Sequence, residues 1–276
     1  MKNLFCLAGV VFAGKAADLH LLARGGVAVA AFCAMSSAVY VLNDLMDRER
    51  DAAHPEKCKR PIASGAVSPK TAWILGLAML TFGMAASLRL GAGVAVITTA
   101  YFIVNIAYSV SLKHVVIVDV LVVSAGFLLR IFAGAEAVNV PVSAWILLCT
   151  FFLALFLGFA KRRAEMSVMR ANPTKTRLVL AKYSEASLDT FTSMCATLSI
   201  ATYALFTLSE GHDRSLVITT PPVAFAIFRY LLRCKEGAGE STDELLVHDR
   251  SLHLAITAWL GLYIWVLYGG LRLNLQ

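Results

Sequence analysis

Apolar residues in this chain fall into long unbroken runs, not into the one-sided stripes of soluble helices. Nine runs stand out, at roughly 2–14, 26–43, 70–88, 92–110, 116–134, 141–160, 188–208, 215–233 and 251–270. An α-helix needs about 20 residues to cross the hydrocarbon core of a bilayer, and all but the first run approach that length. The pattern predicts an all-α polytopic membrane protein, a single domain over residues 1–276 with nine transmembrane helices, the first shortened. The opening "MKNLFCLAGVVFAGKAAD" has a signal-peptide look, with Lys2 ahead of a short apolar core, but a first helix clipped at its front explains it equally well.

Composition agrees with this class. The chain is 58% hydrophobic and only 16% charged, where soluble domains run near 45–50% and about 25%. Its net charge of +7 raises the question of nucleic acid, and the placement of the charge answers it. Loops after the even-numbered runs hold Arg48, Arg50, Lys57, Lys59, Arg60 and Lys70; Lys113; Lys161, Arg162, Arg163, Arg170, Lys175, Arg177 and Lys182; and Arg229, Arg233, Lys235 and Arg250. The opposite loops hold only Lys15, Arg24, Arg89, Arg214 and Arg272. That asymmetry is a positive-inside signal, not a nucleic-acid face. It predicts a multi-pass protein of the inner (plasma) membrane with the charged loops cytoplasmic. The six cysteines show no paired spacing, so neither disulfides nor a zinc site is expected.

The densest carboxylates stand against the end of a greasy run. In "YVLNDLMDRERDAAHPEKCKRPIASG", Asn43 and Asp47 are four apart, Asp44 and Asp47 three apart, and Asp47 and Asp51 four apart. If the second helix continues past the membrane edge, these side chains share one face. Stacked like charges need a neutralising partner, and oxygen-only ligands suit Mg²⁺, which takes a few carboxylates plus phosphate oxygens and water. Lys57, Lys59 and Arg60 follow closely and supply cations for the same ligand. Metal-binding carboxylates beside phosphate-binding cations describe a diphosphate site. The competing reading is a solvated loop in which Arg48 and Arg50 pair locally with the acids.

Three further features bear on chemistry. Tyr108, Lys113 and Asp119 flank the short fourth-to-fifth loop on the same face; a juxtamembrane anchor pair is the plainer reading of Lys113 and Asp119. Arg130 lies inside a span, where a cation lines a cavity, meets an anion, or pairs with a carboxylate such as Glu136. The loop from Lys161 to Lys182 carries seven cations and one acid, Glu165. Attraction to anionic lipid explains part of it, but the compact Lys161-Arg162-Arg163 is placed to face a phosphate. Glu185 and Asp189 make only a weak second acidic group. The late "GAGESTDELLVHD", with Asp243, Glu244 and Asp249, reads as a solvated turn. His54, His114 and His248 lack an acid–base partner pattern.

"NDLMDRERD" resembles the NDxxDxxxD motif of the UbiA superfamily of intramembrane prenyltransferases. "HPEKCKRPIASG", "YSVSLKHVVIVDV", "GFLLRIFAGAEA" and "FLGFAKRRAE" are similar to one branch, the decaprenyl-phosphate phosphoribosyltransferases. The resemblance covers nearly the whole chain. It departs at the start, where Met1-Lys2-Asn3 matches only the tail of the family's usual entry segment.

The resemblance implies nine helices around a central cavity, and transfer of 5-phosphoribose from 5-phosphoribosyl 1-diphosphate to polyprenyl phosphate, in service of a cell wall or another pentose-bearing glycan. It implies Mg²⁺ on Asp44 and Asp47 with Asn43 and Asp51 in support. Lys57, Arg60, Lys113, Lys161, Arg162 and Arg163 would then hold phosphates, with Tyr108, Asp119 and Arg130 at the substrate. The alternative enzyme moves an isoprenoid from a prenyl diphosphate to an aromatic acceptor such as 4-hydroxybenzoate. A lipid or anion transporter with the same charged mouth is the alternative from another class.

Overall fold

The computed structural model describes residues 2–12, 14–15, 17–53, 57–171, 179–209, 213–235 and 248–269. His54, Lys175, Arg177, Asp243 and Glu244, and the side chain of Arg170, lie outside the described set. Among the described residues all regular structure is helical. Eight helices are long and apolar enough to cross a bilayer: α2 (Leu19–Met46), α4 (Pro69–Leu90), α5 (Ala92–Val110), α6 (Val118–Val138), α7 (Ala144–Ala171), α8 (Glu185–Leu208), α9 (Arg214–Cys234) and α10 (Arg250–Tyr268). A shorter apolar helix, α1 (Lys2–Phe12), opens the chain, and α3 (Arg48–Ala52) is a single short turn after α2. Large apolar side chains such as Trp73, Ile74, Phe82, Leu254 and Trp265 point outward, as helices bathed in lipid allow.

The spans sit where hydropathy predicts them, with instructive edges. Helix α2 starts at Leu19, seven residues before its apolar run, because Asp18 caps it by accepting the His20 and Leu21 amides at 2.9 and 3.1 Å. Arg24 is tolerated inside it because its guanidinium donates to the Ala137 and Leu90 carbonyls, at 2.6 and 2.9 Å. Those carbonyls belong to the last turns of α6 and α4, where a cation satisfies acceptors the helices leave open. Helix α6 ends through Asn139 in the left-handed region, φ 53°, with the Val140 amide returning to the Ala135 carbonyl at 3.0 Å.

The chain divides into two compact units, Met1–Leu112 with Leu129–Val142, and Lys113–Leu128 with Ser143–Gln276. In the first, Cys6, Phe32, Met35, Val94, Tyr101, Ala133 and Ala137 form the core. Helices in lipid lack a hydrophobic force between them, so small residues that let backbones touch matter most. A methyl group on Gly134 would overlap the Cys6 carbonyl, and one on Gly83 would press on the Ala31 carbonyl. The second unit is built on Phe156, Phe159, Leu188, Ala196, Ile227, Tyr230 and Leu252. Its Asp249 is buried, caps α10 through the Ser251 and Leu252 amides, accepts from Arg229 Nε at 2.9 Å, and forms an ion pair with Arg233 at 3.3 Å. The sequence suggested a solvated turn there; the acid is instead a structural clamp.

Gly134→Val should force α1 off α6. Overpacking of this kind costs about 1–3 kcal/mol, so thermal unfolding in detergent should start several degrees lower. Wild-type melting would show that α1 does not make this contact.

Candidate active site

Helix α2 ends one residue before Asp47, whose backbone (φ −93°, ψ 5°) turns the chain into α3. The break is mild. The Asp47 amide donates to the Asn43 carbonyl at 2.9 Å and the Asp51 amide to the Asp47 carbonyl at 2.8 Å. Helical spacing therefore survives across the break, and Asp44 and Asp51 come close enough to share one partner. Arg60 Nη1 donates to Asp44 Oδ1 and to Asp51 Oδ2, both at 2.8 Å. Asp51 is only 2% exposed, while Arg60 is 39% exposed and reaches in from the loop. Lys57 Nζ lies 3.8 Å from Asp51 Oδ1, and Arg50 lies 4.0 Å from Asp47 Oδ1.

The loop that delivers Arg60 is ordered by its own sequence. The Arg60 amide donates to the Lys57 carbonyl and the Ser64 amide to the Arg60 carbonyl, at 2.9 and 2.8 Å. Gly65 takes φ 82°, which suits glycine, and the Val67 amide then returns to the Pro61 carbonyl at 2.9 Å. Ser68 caps α4 through the Thr71 amide, with Pro69 in the first helical turn. The string "KRPIASG" is thus a folded bracket.

A second charged cluster belongs to the other unit. Asp119 is fully buried; its Oδ2 accepts from Arg162 Nε at 2.7 Å and its Oδ1 from the Tyr183 hydroxyl at 2.9 Å. Arg162 also donates to Glu165 Oε2 at 2.9 Å. Arg163 donates to Asp189, Ser167 and Glu185 at 3.0, 2.9 and 3.2 Å. Burial pushes the Tyr183 phenol up to about 12, with the Ile117 amide pulling the other way and Asp119 adding to the rise. Since that lies above the unfolded value near 10, the neutral phenol adds stability below about pH 10 that is lost as pH climbs towards 12. At physiological pH it is a donor.

A model of the UbiA prenyltransferase family matches residues 3–255. The chain belongs to that family. It is 32% identical over 276 residues to a decaprenyl-phosphate phosphoribosyltransferase of Mycolicibacterium smegmatis, covering 95% of this chain and 87% of the relative. It is 32% identical over 277 residues to the protein of the same name in Corynebacterium glutamicum, covering 97% and 83%. Its fold is similar to that of a UbiA homologue from Archaeoglobus fulgidus bound to DMAPP and Mg²⁺, with a TM-score of 0.72 at 17% identity over 98% of this chain and 96% of that one.

Within this UbiA-family chain the expected residues fall into separate groups. Asn43, Asp44, Asp47, Asp51, Lys57 and Arg60 stand together around the end of α2. Arg60, expected at a phosphate, here bridges two of the expected metal ligands. Tyr108 is half-buried near the end of α5, and Lys113 half-buried on the turn Leu112–His114. Arg162 and Arg163 are committed to carboxylates rather than open to a phosphate, whereas Lys161 makes no salt bridge among the described residues. Arg130, 7% exposed, donates to Asn3 Oδ1 and the Tyr101 hydroxyl, each at 2.8 Å, with its guanidinium 4.7 Å from the Tyr101 ring centre. Sequence reasoning missed Tyr183, Tyr101 and Asn3 as partners. Only Asn3 carried a signal, as the end of the family's entry segment.

Among the described residues, no three His, Cys, Asp or Glu side chains close into a metal cage. The donor set still fits Mg²⁺. Asp44 and Asp51 aim hard oxygens at a single cationic nitrogen, and magnesium binds through one or two carboxylates when phosphate and water complete its shell.

Arg60→Met should leave Asp51 buried without its main cation. Stripping one partner from a buried pair costs 3–5 kcal/mol, and the exposure of Arg60 reduces this to about 1–3. The melting temperature should fall by several degrees, and adding Asp51→Asn should recover most of the loss. Unchanged melting would show that the bridge contributes nothing.

Proposed function

We propose that this protein transfers 5-phosphoribose from 5-phosphoribosyl 1-diphosphate to polyprenyl phosphate, at the cytoplasmic face of the plasma membrane, releasing diphosphate. The observation that carries the reading is the convergence of Asp44 and Asp51 on one cation at the membrane end of α2, with Asp47 beside them. The choice of substrates is supported by relatives of that named activity, whose similarity spans nearly the whole chain. The excess of lysine and arginine in alternate loops supports the cytoplasmic assignment.

Asp44 and Asp47, with Asn43 and Asp51 in support, would hold Mg²⁺. Bound there, the metal supplies charge neutralisation for a departing diphosphate. Lys57 meets the same anion. The bond between the ribose C1 and the diphosphate oxygen breaks with its electron pair leaving on diphosphate, and an oxygen of the acceptor phosphate forms the new bond to C1. A phosphate monoester is largely ionised at pH 7, so no general base is required, and none of the histidines is assigned one. Lys113 and Lys161 are the cations of the second unit offered to phosphate groups. Arg162 acts there through its pairing with Asp119, as a positioning residue.

Purified protein given Mg²⁺, 5-phosphoribosyl 1-diphosphate and polyprenyl phosphate should form a lipid-linked phosphoribose, detected by mass spectrometry. Chelation with EDTA should stop it, and Asp47→Asn should lower turnover by at least about a hundredfold while leaving the melting temperature unchanged. No product from these substrates, with a prenylated product from prenyl diphosphate and 4-hydroxybenzoate, would replace the reading with the prenyl-transfer alternative.

A further inference from the structure

The turn between α5 and α6 contains a backbone oddity that the proposed chemistry leaves unexplained. Ile117 adopts φ 69°, a region that strains a β-branched residue and persists only where the surroundings impose it. Ile117 is also where α6 is anchored, since its carbonyl accepts the Val120 and Leu121 amides at 3.0 and 2.9 Å. Its own amide donates to the Tyr183 hydroxyl at 2.6 Å. Tyr183 comes from just after the short turn Leu180–Lys182 that precedes α8, so the contact joins segments 66 residues apart.

The same hydroxyl gives its proton to Asp119 Oδ1, and Asp119 grips Arg162 through its other oxygen. One phenol oxygen therefore accepts from a strained backbone amide and donates to a buried carboxylate. All four groups lie within the second unit. Lys113 sits four residues before Ile117, on the turn Leu112–His114. Whatever fixes Ile117 also fixes where that turn leaves α6.

We infer that Tyr183 is a positioning residue: its hydroxyl clasps the Lys113–Ile117 turn to the Asp119–Arg162 pair and so sets the place of Lys113. A phenol suits this job because a single oxygen can serve as acceptor and donor at once. Phenylalanine would keep the ring packing and lose both bonds. The inference rests on the proposed role of Lys113 as a phosphate-holding cation, and the clasp itself is open to a test that needs no substrate.

Hydrogen–deuterium exchange of the purified protein reads the clasp directly. In the wild type, the peptide spanning 112–119 should exchange slowly although Val115 and Ile117 are exposed. In Tyr183→Phe the same peptide should exchange faster, about fivefold to tenfold for one lost hydrogen bond, with peptides from the middle of α8 unchanged. Fast exchange already in the wild type overturns the clasp, and so does an unaltered 112–119 peptide in the variant. The wild-type measurement stands even if the variant fails to fold.

Activity then separates positioning from simple stabilisation. Tyr183→Phe should lower kcat/KM for phosphoribosyl transfer by about fivefold to tenfold. In a Lys113→Met background the same change should add less than about twofold, because the residue it positions is gone. Equal losses in both backgrounds overturn the positioning role. Faster exchange in a protein whose wild type makes no lipid-linked phosphoribose supports the clasp and sinks the reaction assigned above.

Discussion

Taking a carboxylate out of water costs several kcal/mol unless a cation and hydrogen bonds replace the lost solvation. This protein does so at Asp51 and at Asp119, and much of the surrounding architecture meets that demand. The two solutions differ. Asp119 is enclosed with a buried arginine and a tyrosine hydroxyl, every element of which is held from inside the fold. Asp51 shares its arginine with Asp44, and that arginine arrives from a loop and keeps contact with solvent. The first arrangement is permanent structure. The second is a carboxylate pair whose cation keeps part of its side chain in solvent.

That contrast orders the chemistry. Under the proposed reaction, a metal-holding carboxylate pair at the end of a transmembrane helix would bring the diphosphate of a water-soluble donor to the membrane edge, where the phosphate of a lipid-borne acceptor also lies. The helical spacing from Asn43 to Asp51 brings Asp44 and Asp51 together, and the bracket from Lys57 to Ser68 delivers Arg60 to both. In the second unit, two arginines that look available in the sequence are spent on Asp119, Glu165, Glu185 and Asp189. Under the proposed reaction Lys113 and Lys161 would contact phosphate groups, since an ammonium on a flexible stem can follow a ligand.

Much of this was legible in the sequence. Hydropathy located the spans, since lipid demands long apolar runs, and the acidic register predicted that residues 43 to 51 would share a face. That the acids would stand beside Lys57 and Arg60 was readable without coordinates. Pairings between distant segments were not. Nothing local to Arg162 distinguishes an arginine awaiting a phosphate from one pointing at Asp119, which lies 43 residues earlier. Nor does the sequence around Ile117 announce a positive φ, because the residue there is among those least suited to it. Arg24 lowered the apparent apolarity of α2 and hid its first turns, while its true partners are carbonyls on α4 and α6.

Under the proposed reaction Asp44 and Asp47, with Asn43 and Asp51 in support, would hold a divalent metal when diphosphate is present. Electron paramagnetic resonance of Mn²⁺, used in place of Mg²⁺, reads that occupancy without turnover. Purified protein with diphosphate should take up Mn²⁺, diphosphate labelled with ¹⁷O should broaden its signal, and Asp47→Asn should abolish the uptake. Mn²⁺ bound equally well by wild type and Asp47→Asn, or bound without any broadening from diphosphate, would contradict the site.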